Sequence, residues 1–456
     1  MSKVSVEQAV INPDAPEDSL ERKQPYIDNG VAVLDKTRYY SREFMQAESD
    51  WLWSKTWLLA GLAADIPEVG DFFVFDLGLE SFIVTRTEAG IRAFYNVCSH
   101  RGNRLVSAER GNKKVFVCPF HSWSYNNDGS LRHVTDRETF REEVLCHNPG
   151  LVAVACDAMA GIIFINMSEN PPPLQQALGL PQGYLEAYNI DRMAVVRHVS
   201  SEWAANWKIG IEAFYETYHL HAVHPETQVV MGDINVQYDL YPAGASRMIV
   251  PLGQPSPRMA DQATVNEGLQ AMLQDAGVDP ESFTGSAKDV RRAIQLSKRA
   301  RAEELGLDYS KLEDGQLSDS WATGLFPNVQ IGCHPEGVFI MRFLPHASDP
   351  EKFYYDTMTL IFPADDPDYK APAWMGVPEG TDLTGKTRPD CEHFGPGEDA
   401  NLGQVLSQDS ELLPVVQRGL RSRGFKGQLW GEQEQRLRHF HAELERYLAQ
   451  GTERTS

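Results

Sequence analysis

Two cysteines in this chain each have a histidine at short range. Cys98-Ser-His100 is followed, after 17 residues, by Cys118-Pro-Phe-His121. Each half supplies one thiolate and one imidazole from a short loop after a strand. Zinc sites usually group Cys with Cys and His with His. Here the types are mixed within each half. A two-iron cluster with two Cys on one iron and two His on the other needs such loops, and His in place of Cys raises its reduction potential. Cys146, Cys156, Cys333 and Cys391 lack such neighbours and read as buried structural cysteines.

A second group lies in 206–225, Asn-Trp-Lys-Ile-Gly-Ile-Glu212-Ala-Phe-Tyr-Glu216-Thr-Tyr-His219-Leu-His221-Ala-Val-His224-Pro225. Read as one helix over 206–221, it places Glu212, Glu216 and His219 on one face. His224 is five residues past His219, too far round for a straight helix. Pro225 ends the helix, so His224 can swing in from an irregular end. Two His and one carboxylate make the facial triad of non-haem Fe(II) oxygenases, with positions left open for dioxygen. His221 points off that face and reads as a polar or pocket histidine. Trp207, Phe214, Tyr215 and Tyr218 read as core, as do Trp321, Phe326, Phe339 and Phe343. His439 and His441 sit in the final helix without a ligand pattern.

The flanks are more specific. The halves read Cys98-Ser-His-Arg-Gly102 and Cys118-Pro-Phe-His-Ser-Trp-Ser-Tyr125, and Glu216-x₂-His219-x₄-His224 follows. Together they resemble the Rieske non-haem iron oxygenases, the ring-hydroxylating oxygenase α-subunit family. The resemblance implies a [2Fe–2S] cluster on Cys98, His100, Cys118 and His121, and Fe(II) on His219, His224 and a distant Asp. In the family that Asp lies in a stretch like Glu-Asp followed by Gln-Arg-Gly-Leu. Gln408-Asp409 followed by Gln417-Arg-Gly-Leu420 fits, with Gln for the first Glu. Asp409 is therefore the expected ligand, with Asp399 as its rival. Glu216 stands where the family usually has Asp, a residue that bridges the cluster of one subunit to the iron of the next. Glu also occurs there in relatives that oxidise trimethylammonium substrates.

The resemblance further implies a terminal oxygenase. Electrons from NADH reach the cluster through a reductase, sometimes with a ferredoxin, and dioxygen and a small organic substrate meet at the iron. The expected activity is hydroxylation of an aromatic substrate. The alternative is monooxygenation, such as N- or O-demethylation of a non-arene or quaternary amine. A Rieske electron carrier is the reading of another class, and the second ligand set argues against it. A homotrimer or α3β3 assembly is implied.

The elements that must position these residues follow from the rest of the sequence. The chain has 456 residues, room for several domains and a sizeable core. The expected organisation is an N-terminal arm and helix over 1–56, an all-β Rieske domain over 57–170, and a catalytic domain over 171–456 with a helical insertion at 258–306. The expected fold class is α+β, and the resemblance implies that the catalytic part is a curved antiparallel sheet with helices of the helix-grip, START-like kind. Ser41 should cap a helix over 42–57. Short β-rich runs occupy 72–77, 81–87, 91–97, 114–120 and 161–167. Strands are expected at 193–201, 245–251, 328–333, 337–344 and 353–362, and a final helix at 432–450 with a stripe of Leu437, Phe440, Leu444 and Leu448.

The formal net charge is −22. That disfavours nucleic acid and anionic membranes as partners. No run is long enough to span a bilayer and the N-terminus lacks a secretory apolar segment, so a cytoplasmic location is expected. Against this acidic background 98–132 carries Arg101, Arg104, Arg110, Lys113, Lys114 and Arg132 against Glu109 and Asp128, a local excess of six minus two, +4. That patch is the expected docking face for an acidic electron donor.

Overall fold

The computed structural model describes residues 9–147, 150–302, 306–364, 369–372 and 375–455, with side chains to 451. Two sheets lie between Leu58 and Asn166. One has seven strands in the order Leu58–Leu62, Ile162–Asn166, Ala153–Met159, Gly90–Tyr95, Glu80–Thr87, Asp71–Leu77, Arg110–Asn112. The other has three, Val115–Val117, Ser124–Asn126 and Leu131–His133. Phe72, Ile83, Phe94, Phe116 and Tyr125 pack into a core that also holds Cys98 and Cys118. Leu58–Leu62 escapes the sequence pattern because all five residues are buried, leaving no alternation to read.

The larger sheet runs Gln237–Leu240, Ser246–Val250, Ser320–Leu325, Val329–His334, Gly337–Pro345, Phe353–Ile361, Ala194–Trp203 and Glu392–Phe394. It is antiparallel except for Glu392–Phe394, which pairs parallel to Ala194–Trp203. Register defines its two faces. Arg342 and Asp356 are partners on one face, and Arg342 donates to the carbonyl of Ala60 at 2.8 Å, so that face looks toward the sheets of Leu58 to Asn166. On the other face Ser246, Gly324, Gln330 and Met341 form one row and Tyr238, Met248, Ala322, Gly332 and Phe339 the next. The long helix Gln435–Thr455 covers this second face, burying Leu437, Phe440 and Leu444.

Residues 9–35 form an arm laid over this sheet. Glu21 accepts from the amide of Gly315, and Gln24 donates to Asp239. Ser41 caps Arg42–Glu48 through the amide of Phe44, and the helix continues as a wider turn, Ser49–Trp53. Trp53 packs on Trp207, with ring centres 4.8 Å apart. Residues 258–306 hold the helices Glu267–Asp275 and Ala287–Arg301, which share a small core of their own. Among the described residues no helix is long and apolar enough to cross a membrane.

Three expectations are corrected. The helix expected over 206–221 ends at Ala213, and a short second helix, Leu220–Val223, follows an irregular segment. The Glu216 carboxylate accepts from the amide of His219, and Thr217 Oγ1 donates to the carbonyl of Asp233. Such local bonds compete with helical ones, and the aromatic and β-branched side chains of 214–218 weaken the helix further. Cys146 is exposed, and Cys156 and Cys391 are half-buried; Cys333 alone of the four is fully buried. Tyr218 is exposed rather than core, because it lies in that irregular segment.

Candidate metal centres

The two Cys/His loops are the same turn built twice. Cys98 N donates to Asn103 O and Gly102 N to Cys98 O, at 2.8 and 2.9 Å. Cys118 N donates to Trp123 O and Ser122 N to Cys118 O, at 2.8 and 3.0 Å. Gly102 and Ser122 occupy equivalent places, and both have positive φ, 75° and 58°. Glycine meets that demand at no steric cost; serine does so with strain.

Both cysteines are buried, while His100 and His121 face each other at 4.7 Å and are half-buried. The His100 ring stacks flat on Trp123, 4.7 Å away. Tyr125 Oη lies 3.1 Å from Cys98 Sγ and accepts from the amide of Ser99. His121 Nδ1 is buried without a hydrogen-bond partner. Such an orphan costs about 1–3 kcal/mol unless something fills its lone pair, and a metal would. Burial and the neighbouring His121 lower the pKa of His100, favouring the neutral imidazole that ligation needs. The donor set therefore fits a cluster.

The surrounding charge is less free than composition implies. Arg104 pairs with Asp76 at 3.0 Å and Arg110 with Asp390 at 2.6 Å. Arg101 lies over the ring of Phe120, 5.2 Å from its centre, and Phe120 is 55% exposed beside His121. The exposed tip is an apolar ring flanked by a cation, and Lys113, Lys114 and Arg132 are exposed.

The second site closes over a long sequence separation. His224 Nε2 lies 3.2 Å from Asp409 Oδ1, and His219 Nε2 lies 3.8 Å from the same oxygen. Asp409 comes from the helix Gln404–Leu420 and is buried. The other nitrogen of each ring is already engaged. His219 Nδ1 donates to Glu216 Oε1 at 2.5 Å, and His224 Nδ1 donates to Gln408 Oε1 at 2.6 Å. These bonds fix both Nε2 atoms as the free ligand positions. Burial alone would lower the His224 pKa, but Asp409 and Gln408 hold it above the usual imidazole value. An ion set among two imidazoles and a carboxylate fits this arrangement.

Gln408 was visible in sequence only as a departure from Glu; its role was not. It supports His224 through a neutral amide, whereas His219 has a carboxylate behind it. Gln408→Leu should weaken metal binding about 10–100-fold, the usual cost of losing such a support, with the cluster spectrum unchanged. Competition with a chelator measures it.

The structure does not bring the other candidates here. Glu212 turns away, accepting from Tyr39 Oη and His441 Nε2, both at 2.8 Å. Burial pushes its pKa up to about 8. Asp399 is exposed, and its carboxylate caps the amide of Asn401. His221 is half-buried and donates to the carbonyl of Tyr218. His439 and His441 are buried structural residues. A third cluster, His198, Asp356 and Cys391, lies in a cavity of about 540 Å³ between the cluster-bearing sheet and the larger one. There Arg342 and His198 hold Asp356 well below the usual carboxylate range despite its burial, and Arg388 lies 3.3 Å from His198. Two guanidinium groups make that cavity unsuited to a cation.

Residues 190–450 match the family described as ring hydroxylating alpha subunit (catalytic domain), and residues 56–147 match the Rieske [2Fe–2S] domain. The first match covers more than half of the chain. The chain belongs to the ring-hydroxylating α-subunit family. Members pair a Rieske [2Fe–2S] domain with a mononuclear iron domain. Within this family the chain is similar to the glycine betaine monooxygenase oxygenase subunit of Pseudomonas aeruginosa, 33% identical over 194 residues, 42% of this chain and 45% of that one. The aligned stretch thus spans under half of that relative. In fold it is similar to a quaternary ammonium Rieske monooxygenase, CntA, in complex with L-carnitine: TM-score 0.63 at 19% identity, covering 92% of this chain and 97% of that one. Naphthalene 1,2-dioxygenase with indole bound gives the same TM-score, 0.63, at 20% identity, covering 92% and 93%. This α-subunit therefore shares its fold with proteins of both substrate classes.

Proposed function

We propose that this chain is the terminal oxygenase of a multicomponent Rieske system and monooxygenates a quaternary-ammonium substrate next to nitrogen. The supporting observation is Glu216 in the support position behind His219, in a chain whose sequence relatives include a glycine betaine monooxygenase. The arene reading expected from the family pattern takes second place, kept by the shared fold with naphthalene 1,2-dioxygenase.

Cys98, His100, Cys118 and His121 would hold the cluster, and His219, His224 and Asp409 the iron. The cluster supplies single electrons and the iron supplies a coordination site for dioxygen. The net reaction takes one dioxygen, two electrons from NADH and two protons, placing one oxygen atom in a C–H bond and releasing the other as water. A hydroxyl on carbon next to nitrogen collapses to an aldehyde, the tertiary amine and a proton. Glu216 and Gln408 hold the imidazoles in one tautomer, so the ligand nitrogens need no rearrangement. Glu216, 10% exposed, would accept a further hydrogen bond from a neighbouring subunit. Assembly as a ring, a homotrimer or α3β3, follows from that role. A reductase, with or without a ferredoxin, would dock at the Phe120 tip.

The ligand assignment on the cluster side has its own test. His121→Cys should lower the reduction potential, because thiolate donates more electron density than imidazole. Protein-film voltammetry should show a fall; an unchanged potential would remove His121 from the ligand set. The functional reading is tested by supplying reductase, NADH and a panel of trimethylammonium compounds and arenes, then identifying products.

A further inference from the structure

Among the described residues the buried cations come with anions, except one. Arg247 pairs with Asp239 at 2.6 Å, Arg342 with Asp356 at 2.7 Å, and Lys208 with Glu48 at 2.6 Å. Arg436, on the C-terminal helix, is 0% exposed and has no carboxylate partner among the described residues. Its Nε donates to Ser246 Oγ at 2.9 Å and its Nη2 to Gln330 Oε1 at 3.2 Å. Its Nη1 is buried with no partner at all. The guanidinium lies 4.1 Å from the centre of the Tyr215 ring. Burial lowers its pKa to about 10 and no acid offsets that. A charge in this condition is strongly unfavourable unless an anion joins it.

Its place in the fold adds the second observation. Ser246 and Gln330 flank Gly324 in the row that faces the C-terminal helix. A side chain at 324 would begin 2.5 Å from Tyr215 Oη and 2.9 Å from Arg436 Nη2, so the missing side chain is what admits the pair. Tyr215 immediately precedes Glu216. Tyr238, in the adjoining row, bonds through its hydroxyl to Thr217 Oγ1 at 3.0 Å. The unpaired guanidinium therefore lies one aromatic ring from the segment that carries Glu216 and His219.

We infer that Arg436 is the receptor for a carboxylate on the organic substrate, with Nη1 donating to it. The inference rests on the quaternary-ammonium reading and narrows it: the substrate is a zwitterion, its ammonium group presented to the iron site and its carboxylate to Arg436. A planar guanidinium suits a carboxylate better than an ammonium would. Substrate would then bring the anion that the fold omits, and an arene or a simple tetraalkylammonium ion would leave the site uncompensated.

The test uses the holoenzyme, glycine betaine and its methyl ester, with affinity by calorimetry and turnover by aldehyde release. Wild type should bind the acid at least about 30-fold more tightly than the ester, the usual loss when one partner of a buried charge pair is removed. Arg436→Gln should raise Kd and KM for the acid about 30-fold, with little change for the ester. Arg436→Lys should recover only part of the loss. If Arg436→Gln keeps the wild-type melting temperature and cluster spectrum yet binds the acid within threefold of wild type, the inference is overturned. Should the variant not fold, acid against ester on wild type decides alone, and equal affinities overturn it. Turnover of an arene with neither ammonium probe bound would overturn the functional reading as well, whereas acid turnover indifferent to Arg436 overturns this inference only.

Discussion

Asp409→Ala should leave a protein that keeps its cluster spectrum, holds two irons per chain instead of three, and turns over at less than about 0.1% of wild type. The size follows from what is removed. Asp409 Oδ1 is the atom on which both imidazole Nε2 atoms converge, at 3.2 and 3.8 Å. Without it two neutral rings remain, and a hard divalent cation prefers the carboxylate. Losing a metal's contribution to a barrier is worth several kcal/mol, and about 4 kcal/mol is a thousandfold in rate. The cluster loops lie on other sheets and share no residue with this site, so their spectrum is the internal control. Asp399→Ala is the second control. Its carboxylate is exposed and occupied by the amide of Asn401, so iron content and turnover should stay at wild-type levels. If Asp399→Ala loses the iron and Asp409→Ala keeps it, the ligand assignment is wrong.

Glu216→Gln should retain all three irons but slow reduction of the iron site by the cluster about 100-fold. The carboxylate takes two bonds from His219, one from Nδ1 at 2.5 Å and one from the backbone amide at 3.1 Å. A glutamine can still accept the first through its carbonyl. Its NH₂ group then faces an N–H at the second position, and it cannot accept from a histidine on a neighbouring subunit. Loss of such a support usually costs 10–100-fold, and here it also removes the proposed link between subunits. Stopped-flow reoxidation of the prereduced cluster, with substrate and oxygen present, measures the step. Wild-type rates in a variant of full iron content would remove Glu216 from the electron path.

The candidate cluster loops were legible in the sequence because all four donors lie within 24 residues, 98–121, in two short loops that follow strands. The candidate iron site was legible at His219 and His224: the irregular end expected at His224 is present ahead of Pro225, and only the helix before it differs. A continuous helix was to present Glu216 and His219, whereas the chain leaves the helix after Ala213 and the Glu216 side chain itself holds the bend. Spacing along a chain carries no signal for a side chain that bonds its own backbone. Asp409 came only from the resemblance, since a lone Asp on a helix has no local pattern. Gln408 and Arg436 were missed for a related reason. Their roles depend on contacts across 184 and 190 residues of sequence, between the helix Gln404–Leu420 and His224, and between the last helix and Ser246. The same limit explains the basic patch: counting charges over 98–132 could not foresee that Asp76 and Asp390 neutralise two of its arginines.

The most direct test of the function proposed here is a product balance. Purified chain, a competent reductase, NADH and oxygen are supplied with a trimethylammonium carboxylate, and aldehyde, amine and NADH are counted together. One aldehyde and one tertiary amine are expected for each NADH and each dioxygen consumed. A cis-diol from an arene, with no aldehyde from any ammonium substrate, would contradict it.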